Sequence, residues 1–340
     1  MLFHFKEVLS GSGVVSWALI WVSSPGGKFG VSLFFLISGY VIALVTEGKN
    51  VKSCAFLMRR LLRILPLATL TTFMCYLLKL LLDSSAAPSL KDLLGSLFFL
   101  PLRNGIPPFF GYRVLSVQWT LTYELIFYVV FAVSLAISQT HRLLLASAIL
   151  AVMVFGLQAF YGYCTLDAYS SPLAIGIGAL PGLLSLLANP LFMFFVLGMW
   201  MYCGQALARQ HNIHILRIGS FCAMIISVWA LVWFDSLGLV VPGLAIFLFL
   251  VMLSCENVIR ALPSKEVFAR LGDISYSLYL INPIVLFIYQ WLRERFVMVR
   301  LDSDLLVFFL LVSVSIVFSE LSYRWIELPG IRLGKRMSAP

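Results

Sequence analysis

The sequence predicts an all-α polytopic membrane protein, a bundle of about nine to ten transmembrane helices. Three observations predict it. Of the 340 residues, 61% are hydrophobic and only 11% are charged, against roughly 25% charged in soluble domains. The mean hydropathy is +0.99. The apolar residues also fall into runs of about 20, the length that crosses roughly 30 Å of hydrocarbon. This composition argues against a soluble enzyme, a disordered chain and a disulfide-stapled secreted module.

Nine runs qualify, at about 29–46, 61–82, 117–138, 143–161, 190–208, 215–234, 237–254, 274–292 and 304–323. None alternates with the period of a barrel strand. Lipid cannot satisfy an open backbone, so the runs are predicted helices. Residues 1–28 lack a basic stretch, apolar core and cleavage site, and so do not read as a secretory signal. Met1 to Phe5 reads as the tail of a helix. A tenth helix upstream would balance the topology, which predicts a first helix truncated at Met1. The alternative is a re-entrant or interfacial segment over 1–22.

Pro88, Pro101, Pro107 and Pro108 mark 83–116 as a loop with one short helix. Residues 162–189 carry Gly176, Gly178 and Gly182 but come after no predicted strand. They read as loop or re-entrant backbone rather than a nucleotide-binding turn.

The net charge is +9, from 24 Lys and Arg against 15 Asp and Glu. Most of the basic residues fall in the stretches 47–63, 142, 209–217, 260–270 and 324–336. With the 47–60 loop in the cytoplasm and sides alternating from there, these stretches lie inside, and so does the C-terminus. The excess charge is therefore a topology signal, and nucleic acid is not expected as a partner. The six cysteines form no CxxC and indicate neither a disulfide framework nor a zinc site. His211 and His214 share a basic loop with no carboxylate or thiol beside them, so no metal is expected there.

Ionisable groups inside apolar runs cost roughly 2.5–3.5 kcal/mol on insertion scales, so each calls for a reason. Thr120, Glu124 and Tyr128 lie on one helical stripe at i, i+4 and i+8. A carboxyl there can accept or pass a proton, or it can hydrogen-bond a hydroxyl on a neighbouring helix. His4 is either an interfacial residue or a general base. Arg59, Arg60 and Arg63 precede Pro66 at the cytoplasmic end of a span. They anchor topology, and their spacing also suits forked contacts with phosphate. Glu320 and Arg324 are spaced for a structural ion pair.

Five strings carry a resemblance. Gly30-Val-Ser-Leu-Phe-Phe-Leu-Ile-Ser-Gly-Tyr40, the run Arg59 to Pro66, the set Trp119, Leu121, Glu124, Phe127 and Tyr128, Ile274-Ser-Tyr-Ser-Leu-Tyr-Leu-Ile-Asn-Pro283, and Arg324-Trp-Ile-Glu327-Leu-Pro329 occur in this order. Together they resemble the acyltransferase-three family of integral membrane O-acyltransferases, which includes O-antigen and exopolysaccharide acetylases. The resemblance implies a single membrane acyltransferase domain over 1–340, in a bacterial inner membrane. It implies transfer of an acyl group, usually acetyl, from acyl-CoA to a hydroxyl of a cell-surface saccharide. His4 matches the family's catalytic histidine, whose arginine partner would lie before Met1.

On this resemblance His4 and Glu124 are the catalytic candidates, and Arg59, Arg60 and Arg63 would hold the donor's phosphates. Trp119, Tyr128, Tyr276 and Asn282 are the substrate-binding candidates. Direct transfer and a covalent acyl-histidine both remain open. Ser32 stands where the family often has aspartate, and Asn282 replaces a histidine, so no proton transfer is expected of Asn282. The rival class is a glycan or lipid transporter or flippase, which explains the spans and Glu124 equally well. It would show neither thioester hydrolysis nor acetyl transfer.

Overall fold

The computed structural model describes residues 2–5, 8–9, 26–48, 50–82, 87–101, 107–109, 111–112, 114–169, 179–211, 265–296 and 304–337. Among the described residues the regular structure is helical, with no strand. In chain order the helices are α1 (Leu2–Phe5), α2 (Gly26–Thr46), α3 (Ser53–Leu82), α4 (Leu90–Leu97), α5 (Trp119–Ile137) and α6 (Arg142–Phe160). Next come α7 (Ala179–Leu187), α8 (Phe192–His211), α9 (Lys265–Asp273), α10 (Ser275–Arg295), α11 (Asp304–Ser322) and α12 (Leu328–Met337). A π-helical turn, Tyr323–Glu327, joins α11 to α12.

Five helical runs are long and apolar enough to cross a membrane. A sixth, α9 with α10, is bent by 65°. Seven of the nine expected spans coincide with helices. The expected spans at 215–234 and 237–254, and His214, lie outside the described residues.

Two expectations need correction. α3 begins at Ser53, eight residues before the expected 61. Charge at Arg59 and Arg60 makes this stretch look like loop, but a helix standing outside the hydrocarbon tolerates charge. Its first turn is tied down by Ser53 Oγ donating to the Ala132 carbonyl of α5. Part of 162–189 is also helix rather than loop. α7 is fixed where Gln158 of α6 donates its amide to the Ala188 carbonyl at 2.9 Å.

Aromatic packing holds the core. Phe127 of α5 stacks on Phe195 of α8 at 4.2 Å between centroids, and Phe35 of α2 meets the same ring at 4.6 Å. α2 and α8 touch backbone to backbone. A Cβ on Gly39 would strike the Phe195 carbonyl, and one on Gly198 would strike that of Leu36. Such close approach, made with small residues, is how helices associate where lipid is as apolar as their own side chains.

Pro66 and Pro283 sit in the interior of long helices, and each leaves the carbonyl four residues earlier without its N–H partner. Pro66 frees the Leu62 carbonyl of α3, on which Gly330 of α12 packs directly. Pro283 frees the Tyr279 carbonyl of α10, which accepts the Asn282 side-chain amide at 3.0 Å. Outside the spans, α4 opens with Ser89 and Asp92 capping each other's backbone N–H, the arrangement that satisfies a helix start.

Candidate active site

α3, α5, α10 and the π-helical turn converge on one buried polar cluster. Glu124 is buried on α5, and the Tyr128 hydroxyl, one turn on, donates to its Oε1. The stripe expected from the sequence therefore forms. The hydroxyl that satisfies Glu124 comes from its own helix rather than from a neighbour. Thr120, a turn earlier, meets the Tyr279 hydroxyl of α10 at 2.8 Å, and both face the Val117 carbonyl.

The cations come from α3. The Arg60 guanidinium lies over the Tyr128 ring at 5.7 Å and over Phe56 at 5.8 Å. Arg63 Nε is 3.4 Å from Glu327 Oε1, and Arg60 is brought beside Glu124 through the Tyr128 ring that both touch. Glu327 Oε2 accepts from Ser277 Oγ at 2.9 Å. Tyr276 closes the cluster by donating to the Ile64 carbonyl at 2.7 Å. Two buried carboxylates thus meet half-buried cations at the edge of the interior, where a charge out of water is costly unless it is paired.

The structure brings Arg60, Arg63, Glu124, Tyr128 and Tyr276 together. Arg59 lies one turn outward on α3, exposed, with its Nε on the Ala55 carbonyl at 3.1 Å. Trp119 is buried at the start of α5, edge-on to Phe109 at 5.0 Å and to Tyr123 at 5.9 Å. Asn282 is buried, and its amide is spent on the Leu278 and Tyr279 carbonyls of its own helix. Its Oδ1 has no partner among the described residues.

Helix α1, which carries His4, packs elsewhere in the bundle. α1 packs on α2, α10 and α11. Phe5 beside it is fully buried against Val307, Phe308 and Leu311, with Val285, Leu286 and Tyr289 of α10 around it. Val285 is nine residues beyond Tyr276, about 13 Å along the helix at 1.5 Å per residue. Phe5 and Glu124 thus belong to separate clusters.

Sequence reasoning gave no role to Glu327 or Ser277, although both lie in strings quoted for the resemblance. Glu327 lies four residues beyond the last apolar run as read from the sequence, 304–323, so the cost of charge inside a span did not single it out.

A family profile described as Acyltransferase domain (Acyl_transf_3) matches residues 1–324. The chain belongs to this acyltransferase family. It is a multi-pass membrane acyltransferase, which decides against the transporter reading. It is similar to the exopolysaccharide production protein ExoZ of Rhizobium meliloti (strain 1021), 28% identical over 91% of each chain. It is also similar to proteins of Staphylococcus aureus, strains COL and MSSA476, named as proposed O-acetyltransferases. Each is 25% identical over 89% of this chain and 52% of the relative. The chain thus spans about half the length of those staphylococcal relatives. No solved structure matches it.

Proposed function

We propose that residues 1–340 act as one acyltransferase domain in a bacterial inner membrane, with the C-terminus in the cytoplasm. The domain moves an acyl group, acetyl in the simplest case, from acyl-CoA to a hydroxyl of a cell-surface saccharide. The observation that carries this reading is the meeting of Arg63 with buried Glu327, and of Arg60 with the Tyr128 that holds buried Glu124, in a helical bundle of this family. The name of the Rhizobium relative supports a polysaccharide acceptor.

In this reading the unprotonated imidazole nitrogen of His4 takes the proton of the acceptor hydroxyl as that oxygen bonds to the thioester carbonyl carbon. The carbon–sulfur bond breaks, and the departing thiolate recovers the proton from the imidazolium. Arg59, Arg60 and Arg63 hold phosphate at the opposite end of the donor by forked, charge-assisted contacts. Glu124 and Tyr128 fix the arginine pair and, with Tyr276, Trp119 and Asn282, line the way between.

Membranes carrying the chain, supplied with labelled acetyl-CoA, test this. His4→Ala should lower transfer by about 10²–10⁴-fold, with insertion and abundance unchanged, and Glu124→Gln should do the same. Turnover retained in both variants overturns the site. Envelope polysaccharide that keeps its O-acyl signals after deletion of the gene overturns the acceptor.

A further inference from the structure

α3 has 30 residues and so is about 45 Å long, well beyond roughly 30 Å of hydrocarbon. α11, the π-helical turn and α12 form a run of 34 residues with the same excess. The surplus falls at one end of the bundle, where 53–63 of α3 and α12 run antiparallel. Gly330 sits on the Leu62 carbonyl, and a Cβ on Gly334 would stand 3.1 Å from Arg59 Cα. This two-helix stub rises directly from the Arg63–Glu327 pair.

The charge on the stub is one-sided. Lys52 and Arg59 are exposed at the α3 end, and Arg332, Lys335 and Arg336 are exposed on α12. Neither 53–63 nor 328–337 contains an acidic residue. Among the described residues no carboxylate pairs with Arg332, Lys335 or Arg336. The arginines nearby behave differently. Arg270 and Arg324 are both held by Glu320, at 2.5 Å each. Their charge is answered within the fold, and among the described residues the charge of α12 is not. Clustered like charge that no neighbour answers favours a polyanionic partner and raises its local concentration.

We infer that α12 is the landing surface for the phosphate-bearing end of the thioester donor. Arg332, Lys335 and Arg336 gather that end and pass it inward to Arg59 and Arg63. The inference rests on the acyl-CoA reading above. Anionic lipid headgroups offer the same phosphate chemistry and are the competing source.

The test compares the full chain with the triple variant Arg332→Gln, Lys335→Gln and Arg336→Gln in neutral phosphatidylcholine nanodiscs and in nanodiscs containing anionic lipid. KM for acetyl-CoA should rise about tenfold in both lipids, with kcat unchanged. The inhibition constant of adenosine 3′,5′-bisphosphate should rise in step. The wild-type KM should rise with added salt, and this dependence should flatten in the variant. An unchanged KM, a loss confined to kcat, or a defect seen only with anionic lipid overturns the inference. Single substitutions at the three exposed positions provide a graded series should the triple variant accumulate poorly. Wild-type protein that turns over no acetyl-CoA would instead fail the donor reading itself.

Discussion

Glu320 and Glu327 lie seven residues apart on one continuous helical run, and each meets an arginine, yet their surroundings are opposite. In a regular α-helix seven residues return to nearly the same face, within about 20°. Here Glu320 keeps part of its side chain exposed and pairs with Arg270 and Arg324 at the surface. Glu327 is buried and meets Arg63 and Ser277. The π-helical turn at Tyr323–Glu327 separates them. Each residue added to a turn rotates the rest of the helix by about 100°, and single π turns of this kind are common at functional sites. The same pair of residue types is therefore surface decoration before the turn and part of the buried cluster at its last residue.

Breaking the buried pair is the most severe way to test this contrast. Glu327→Ala would leave Ser277 without its acceptor and Arg63 facing an uncompensated interior. Removing one partner of a buried pair costs about 3–5 kcal/mol. Arg63 keeps 39% of its side chain exposed, so a figure nearer ~2 kcal/mol is expected after solvent screening. Acetyl transfer should fall about 100-fold or more, a loss of roughly 2.7 kcal/mol in transition-state terms. Thermal unfolding in detergent and transfer assays on the same preparation check both numbers. Full activity in Glu327→Ala would make the buried pair no more than its surface counterpart.

A milder change sharpens the contrast by moving α12 without touching charge. Gly330→Ala would press a methyl group on the Leu62 carbonyl, which is backbone and cannot rotate away. Overpacking of this kind costs about 1–3 kcal/mol. Gly204 of α8 is the control, because a Cβ there meets nothing within 4 Å. Gly204→Ala should leave stability level or raise it by about 0.5–1 kcal/mol. Equal effects at the two glycines would show that α12 is not seated against α3 as described.

The sequence disclosed the helical class, seven of the span positions and the Thr120–Glu124–Tyr128 stripe, because all of these depend on local periodicity and burial cost. It disclosed the Glu320–Arg324 pair for the same reason, since i,i+4 spacing is enough to bring two side chains together. The Arg63–Glu327 pair was hidden. It joins residues far apart in the chain, and it depends on a π turn that no propensity scale marks. The early start of α3 was hidden because charge at Arg59 and Arg60 mimics a loop unless the stabilising face of α12 is known. Asn282 resembles a ligand contact in its motif. Only the geometry shows its amide serving the carbonyl that Pro283 releases. What sequence could not supply in each case is the partner across the bundle.

The gentlest test is Glu320→Gln, which removes the acid that Arg270 and Arg324 share. Arg270 would keep Asp273 at 3.7 Å and its place over the Tyr323 ring at 4.7 Å. Arg324, largely exposed, would return to solvent. Exposed ion pairs contribute little because water screens them and ordering two long side chains is costly. Unfolding temperature and acetyl transfer should therefore stay close to wild type, and any small difference should vanish at high salt, where charges more than a few ångströms apart no longer interact. A large loss of transfer in Glu320→Gln would mean that α9 and α11 act on the reaction through this surface. Burial would then not be what distinguishes the two glutamates.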